Sequence, residues 1–191
     1  MMSHFFAYMG RMRFINRWAL MRNSYTENIQ EHSHQVAVLA HALAVIRNRF
    51  FGGQVDPGAV AVTALYHDAS EILTGDMPTP IKYYNPDIRS AYKQVEAVAN
   101  DKLLGMLPEE LRPDYEDILQ PTDEDVETLV KAADKLSAYI KCVEELKAGN
   151  LEFKKAAEQT AAALDGYHLP ELDYFRERFL KSFELTLDEM E

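Results

Sequence analysis

His32, Val36, Leu39, Leu43, Ile46 and Phe50 step along the chain by three and four, the spacing of one buried face of a helix. No alternating run elsewhere is long enough to mark a strand, so the sequence predicts an all-α fold. Gly52-Gly53 ends the first stripe. Asp56-Pro57 supplies an N-cap with proline in the first helical position, and the helix it opens is expected from Pro57 through Glu71. Gly75-Asp76-Met77-Pro78-Thr79-Pro80 cannot be helical throughout and reads as a loop. A helix is expected over Asp87–Met106, with a shorter one after Pro108. Thr122-Asp123-Glu124-Asp125 resembles a capping box that starts a long helix ending near Gly149. Two last helices are expected over Leu151–Leu164 and Glu171–Phe183, separated by Gly166 and Pro170. No internal repeat or low-complexity tract occurs, and residues 1–191 read as a single-domain helical globule.

The first member of the stripe is a histidine, which gives the fold a chemical reading. His32, the dipeptide His67-Asp68 and Asp134 form the order His … His-Asp … Asp. Two imidazoles and two carboxylates can hold one divalent ion and leave positions for water and a substrate oxygen. Any one of them alone would be unremarkable, since a single helical histidine is more often packed or at the surface. Their surroundings raise the odds. His32 lies on an apolar stripe, His67-Asp68 ends an apolar helix, and Asp134 stands among Ala132, Ala133, Ser137 and Ala138. Carboxylates in such surroundings are costly unless paired or metal-bound. Glu71 follows Asp68 by three residues and His67 by four, which on a continuing helix would put all three near one face. A carboxylate beside a metal site equips a chain for metal-assisted hydrolysis.

Net charge sets limits on partners. Lys and Arg number 20 against 31 Asp and Glu, giving −11. No basic stripe reverses that sign, which argues against nucleic-acid polymers as partners. A small anionic substrate remains compatible with it through a local cationic cluster. No stretch is apolar for long enough to span a bilayer. Arg11, Arg13 and Arg17 come after Phe5 and Phe6, the wrong order for a secretory signal, so a cytoplasmic protein without membrane association is expected. The single cysteine, Cys142, excludes an intramolecular disulfide and reads as a small packed residue. His34 and His41 read as structural or surface residues, and the sequence offers no partner for His4 or His168.

With these residues in view, the chain resembles the HD-domain metal-dependent phosphohydrolases, and within them the bacterial 5′-deoxynucleotidases. The likeness is carried by Ile15-Asn16-Arg17-Trp18, Thr26-Glu27-Asn28, Glu31-His32-Ser33 and Tyr66-His67-Asp68-Ala69-Ser70-Glu71. It continues through Leu73-Thr74-Gly75-Asp76-Met77-Pro78-Thr79-Pro80 and Ala133-Asp134. The bare His-Asp pattern is specific only to the superfamily. The Arg-Trp segment and the Gly-Asp-Met-Pro-Thr-Pro loop point more narrowly.

The resemblance implies removal of the 5′-phosphate from 2′-deoxyribonucleoside 5′-monophosphates by a homodimer of all-α subunits. It implies one divalent metal ion, manganese, cobalt or a similar transition metal, held by His32, His67, Asp68 and Asp134. These ligands alone suit zinc and iron equally. Glu71 and Asp68 are expected to serve proton transfer and the attacking water, and which carboxylate is the acid stays open. Arg17 would orient the phosphate and Trp18 would pack beside the nucleotide. Asp76, Met77, Pro78 and Thr79 would line the sugar pocket, with His32, Asp68 and Asp134 also facing substrate. The alternatives are another HD-type hydrolase acting on cyclic, di- or triphosphates, and a nucleotide-binding regulatory module without turnover.

Overall fold

The computed structural model describes residues 2–82 and 84–190, and for Thr79 and Pro80 the backbone only. Every regular element among the described residues is helical, apart from one isolated antiparallel bridge between Asn16 and Asn28. Helix α1 (Phe5–Met9) and a 3-10 turn (Met12–Phe14) lead into an extended segment. That segment pairs with the residues just before α2: Arg17 N–H donates to the Glu27 carbonyl at 2.9 Å, and Ile29 N–H to the Ile15 carbonyl at 2.9 Å.

Helix α2 (Ile29–Phe50) starts on a capping box in which Asn28 and Glu31 satisfy each other's backbone donors. The expected stripe is buried from His32 to Ile46. Phe50 breaks the expectation: it is exposed and stacks on Tyr174 at 5.0 Å, because the helix outruns the core there. Helix α3 (Pro57–Tyr66) opens as expected, with Asp56 accepting from Gly58 N–H.

The expected helix through Glu71 is corrected. It stops at Tyr66, and His67–Ser70 form tight i→i+3 turns before the short helix α4 (Glu71–Thr74). The cause is local. The His67 ring donates through Nδ1 to the Ala64 carbonyl at 2.7 Å, the acceptor that a continuing helix would offer to the Asp68 N–H. Gly75, at φ +74, then turns the chain out into the 76–78 loop.

Helix α5 is one turn (Thr79–Lys82), so the expected loop is helical at its end. Helix α6 (Pro86–Leu104) and α7 (Arg112–Leu119) follow. Helix α8 (Glu124–Lys147) is capped by Asp123, which accepts from Asp125 and Val126 N–H. The expected box therefore sits one residue late, and Thr122 is not the cap. A 3-10 turn (Leu151–Phe153) occupies the start of the segment expected as helix, followed by α9 (Lys154–Asp165). Helix α10 (Pro170–Arg178) ends short of Phe183, which lies in a further 3-10 turn.

The main core joins α2, α3, α8 and α10 through Val36, Ala40, Leu43, Val60, Ala64, Leu129, Ala133, Leu136, Ile140 and Leu172. Alanines at the α2–α8 crossing let the two backbones come close, which is what brings side chains of both helices to one point. Truncating a core residue such as Leu136 to alanine would cost about 2–5 kcal/mol. A second cluster packs Phe5, Ala69, Leu103, Leu107 and Leu119, so the turn carrying His67 and Asp68 is anchored by Ala69 between α1 and α6.

Candidate functional site

Four separate stretches of the chain meet at the α2–α8 crossing. His32 comes from the first turns of α2 and is fully buried. Asp134 comes from α8, and its Oδ1 lies 3.0 Å from His32 Nε2. The turn after α3 supplies Asp68, whose Oδ2 lies 3.2 Å from His67 Nε2 and 3.6 Å from His32 Nε2. The extended segment before α2 supplies Arg17, which donates through Nη1 to Asp68 Oδ2 at 3.4 Å.

One donor atom each from His32, His67 and Asp68 lie within 4.8 Å of one another, a grouping that could hold a metal ion. Asp134 stands outside that tightest set and joins it through its contact with His32. All four expected ligands are therefore brought to one place, three of them closely.

Hydrogen bonding behind the two rings decides what they can accept. Ser137 Oγ donates to Gln35 Oε1 at 2.6 Å, so it accepts the hydrogen bond from His32 Nδ1–H at 3.1 Å. The His67 Nδ1–H is spent on Ala64. Each ring thus carries a proton on Nδ1 and turns Nε2, the nitrogen left for a metal, toward a carboxylate oxygen. A lone pair facing a carboxylate at about hydrogen-bond distance calls for a positive charge between them. His67 Nε2 has no hydrogen-bond partner among the described residues. The donor set therefore fits a divalent cation, and the bonds from Nδ1 are the outer-shell contacts that orient metal-binding histidines.

Electrostatics separate the two rings. Burial, followed by the charge of Arg17, pushes the His32 pKa down and keeps its ring neutral. Burial works against the charge on Asp68, but His67, His32 and Arg17 outweigh it and hold the carboxyl well below the usual range. Asp134 behaves in the same way, with the contact to His32 foremost among the effects that overcome burial. Arg17 loses to burial but gains more from Asp68, Asp134, Glu27 and Asp76, so its charge is secure. His67 runs the other way: burial lowers it, but its carboxylate neighbours exceed that cost and raise it, so without a cation a proton on Nε2 takes the place between ring and carboxylate.

Glu71 behaves oppositely. Burial, then repulsion from Asp68 and Asp76, pushes its carboxyl up to about 10. Its Oε2 is buried without a hydrogen-bond partner among the described residues. A protonated carboxyl beside two ionised ones is a division of labour suited to acid–base chemistry.

The remaining expected residues scatter in their fit. Trp18 is half-buried against Phe153, ring centroids 5.3 Å apart. Asp76 is half-buried and close enough for its charge to act on Arg17 and Glu71. Met77 and Pro78 are half-buried in the same loop, and the Thr79 side chain lies outside the described residues. Sequence reasoning missed Gln35, Ser137 and Glu27. The first two had a readable signal, since each follows a ligand by three residues on the same helix face. Cys142 is buried as expected, and His4, His34, His41 and His168 are exposed.

The fold is that of the HD-domain phosphohydrolases. Among solved structures, the fold matches an HD-domain phosphohydrolase from Listeria innocua with a TM-score of 0.80 at 21% identity, covering 94% of this chain and 88% of that one. It also matches a cyanophage S-2L HD phosphohydrolase bound to dA and one catalytic Zn2+, with a TM-score of 0.62 at 20% identity, covering 92% and 96%. The chain belongs to the 5′-deoxynucleotidase YfbR-like family, whose pattern it matches over residues 4–183. A 5′-deoxynucleotidase of Vibrio vulnificus is 54% identical over 190 residues, 98% of each chain. One of Photorhabdus temperata is 54% identical over 192 residues, 99% of this chain and 97% of that one. No helix among the described residues is long and apolar enough to cross a membrane.

Proposed function

We propose that this chain, acting as one unit over residues 1–191, removes the 5′-phosphate from 2′-deoxyribonucleoside 5′-monophosphates. The observation that carries the reading is the pair of imidazole nitrogens, His32 Nε2 and His67 Nε2, turned toward Asp134 and Asp68 with Arg17 alongside. Family membership supplies the substrate class, and the catalytic zinc of the cyanophage enzyme supports a metal in the same fold.

His32, His67, Asp68 and Asp134 would hold one divalent transition metal, manganese or cobalt by the family's habit. Bound there, such an ion supplies Lewis acidity toward a phosphate oxygen and an activated water.

The chain's own residues supply the rest. Arg17 directs a charged fork at the phosphate and offsets charge spread over its outer oxygens. Its Nε and Nη1 are engaged by Glu27 and Asp68, which leaves Nη2 for a substrate oxygen. Asp68 accepts a hydrogen bond from the attacking water and aligns it with phosphorus. Glu71, held protonated, delivers a proton to the departing 5′ oxygen. Trp18 and the Asp76–Thr79 segment enclose the deoxyribose, so that an added 2′-hydroxyl would lose its hydrogen bonds to water.

The active form is a homodimer in the cytoplasm, where the acidic surface would keep it off nucleic acids.

Phosphate release across a panel of mono-, di-, tri- and cyclic nucleotides, each with several divalent ions, tests this. Turnover confined to deoxyribonucleoside monophosphates and dependent on metal is the expected result. Preferential hydrolysis of a cyclic or triphosphate substrate, or binding without phosphate release under every metal, would overturn it.

A further inference from the structure

Arg17 and Trp18 are neighbours in sequence, and in extended backbone their side chains would point to opposite sides. Here both reach the same atom. Arg17 donates through Nε to Glu27 Oε2 at 3.1 Å, and the Trp18 indole Nε1–H donates to that same oxygen at 3.1 Å. The convergence is possible because Trp18 adopts a left-handed conformation, φ +57. A bulky residue rarely takes that conformation without something to hold it. Glu27 is 7% exposed, and its place is fixed by its own backbone, whose carbonyl receives Arg17 N–H at 2.9 Å. Phe153 packs against the indole in a tilted contact.

We propose that Glu27 is a positioning residue that sets the guanidinium of Arg17 and the indole of Trp18 at a fixed spacing, and so couples phosphate orientation to exclusion of the ribose 2′-hydroxyl. This rests on the roles proposed above for Arg17 and Trp18. A buried carboxylate paired only with Arg17 would serve the phosphate alone. Sharing one oxygen between the two donors makes the sugar wall and the phosphate hook one unit, so neither moves without the other.

The test compares Glu27→Ala, Glu27→Met and Glu27→Gln with the wild type on 2′-deoxyadenosine 5′-monophosphate and its ribonucleotide counterpart. Alanine removes the acceptor. Methionine removes it while filling the space, and keeps the test open if the alanine variant does not fold. Glutamine keeps an acceptor oxygen and loses the charge. For alanine and methionine, kcat/KM on the deoxynucleotide is expected to fall about 10²-fold, together with a fall of about tenfold in the deoxy-to-ribo ratio. Glutamine is expected to restore most of the ratio.

Trp18 is the only tryptophan, so the one indole N–H resonance reads the contact without reference to activity. It should shift, and exchange faster with solvent, in the methionine variant. Manganese binding by calorimetry should be unchanged. If Arg17→Ala and Trp18→Ala impair turnover and selectivity but the Glu27 variants keep both, Glu27 has no positioning role and the site reading stands. If Arg17→Ala and Trp18→Ala change nothing, the reading itself fails and takes the proposal with it.

Discussion

Ser137 and Glu71 show how much of this site depends on where single protons sit. The Ser137 hydroxyl, committed to Gln35, compels His32 to protonate at Nδ1 and so to present Nε2. Ser137→Ala leaves that ring free to turn or to change tautomer, while the side chain lost is small and the helix propensity is, if anything, improved. Metal affinity should fall by roughly 10–100-fold, measured by competition against a chelator, with helix content by circular dichroism unchanged. Affinity at the wild-type value would mean the hydroxyl does not orient the ligand.

Glu71 offers a second test, by pH. Its carboxyl is held near 10 against an ordinary 4.5, first by burial and then by Asp68 and Asp76. In the metal-free protein the folded state therefore keeps a proton that the unfolded chain gives up above about pH 4.5. The sign follows: this group's contribution to stability is complete below that pH and is lost progressively as pH rises toward 10. Glu71→Gln keeps the neutral form at every pH. In chelator-treated samples, the melting temperature of the wild type should drop relative to Glu71→Gln between pH 5 and pH 9. Parallel curves would show that Glu71 is ionised in the fold.

At the scale of elements, the start of α8 separates what pattern can reveal from what it cannot. The capping signature around Thr122–Asp125 is real, but Thr122 and Asp123 are both competent caps, and only the direction of chain entry picks between them. Asp123 takes the role, accepting from two backbone donors. Asp123→Ala should therefore cost about 1 kcal/mol, and Thr122→Ala close to nothing, by denaturant midpoint.

The same contrast runs along the molecule. The buried stripe of α2, the Asp56-Pro57 start of α3 and the long α8 were legible because each is written in local spacing. The break at Tyr66 was not, because it depends on the His67 ring capturing the Ala64 carbonyl, a competition that spacing does not record. Of the site, the four expected ligands could be found as residue types in apolar or small-residue surroundings. Glu27 could not, since its significance comes from pairing across a turn with a segment ten residues earlier.

For the whole molecule, the placement of the four proposed ligands gives metal binding a structural consequence. His32 lies in α2, His67 and Asp68 in the turn after α3, and Asp134 in α8. An ion held by all four ties together three of the four helices of the main core, and the unfolded chain scatters those ligands too widely to compete. Binding to the native state alone should add about 2.7 kcal/mol when free metal is at about 100 times its Kd. For a chain of this length each kcal/mol corresponds to about 2–4 °C, so adding metal should raise the melting temperature by about 5–11 °C. Asp134 carries the decisive comparison, because it is half-exposed and outside the tightest ligand grouping. If it completes the site, Asp134→Ala should abolish most of the metal-dependent rise while the metal-free protein still unfolds cooperatively. A full rise in that variant would reduce the site to His32, His67 and Asp68, and would leave Asp134 as the partner that holds His32 in place.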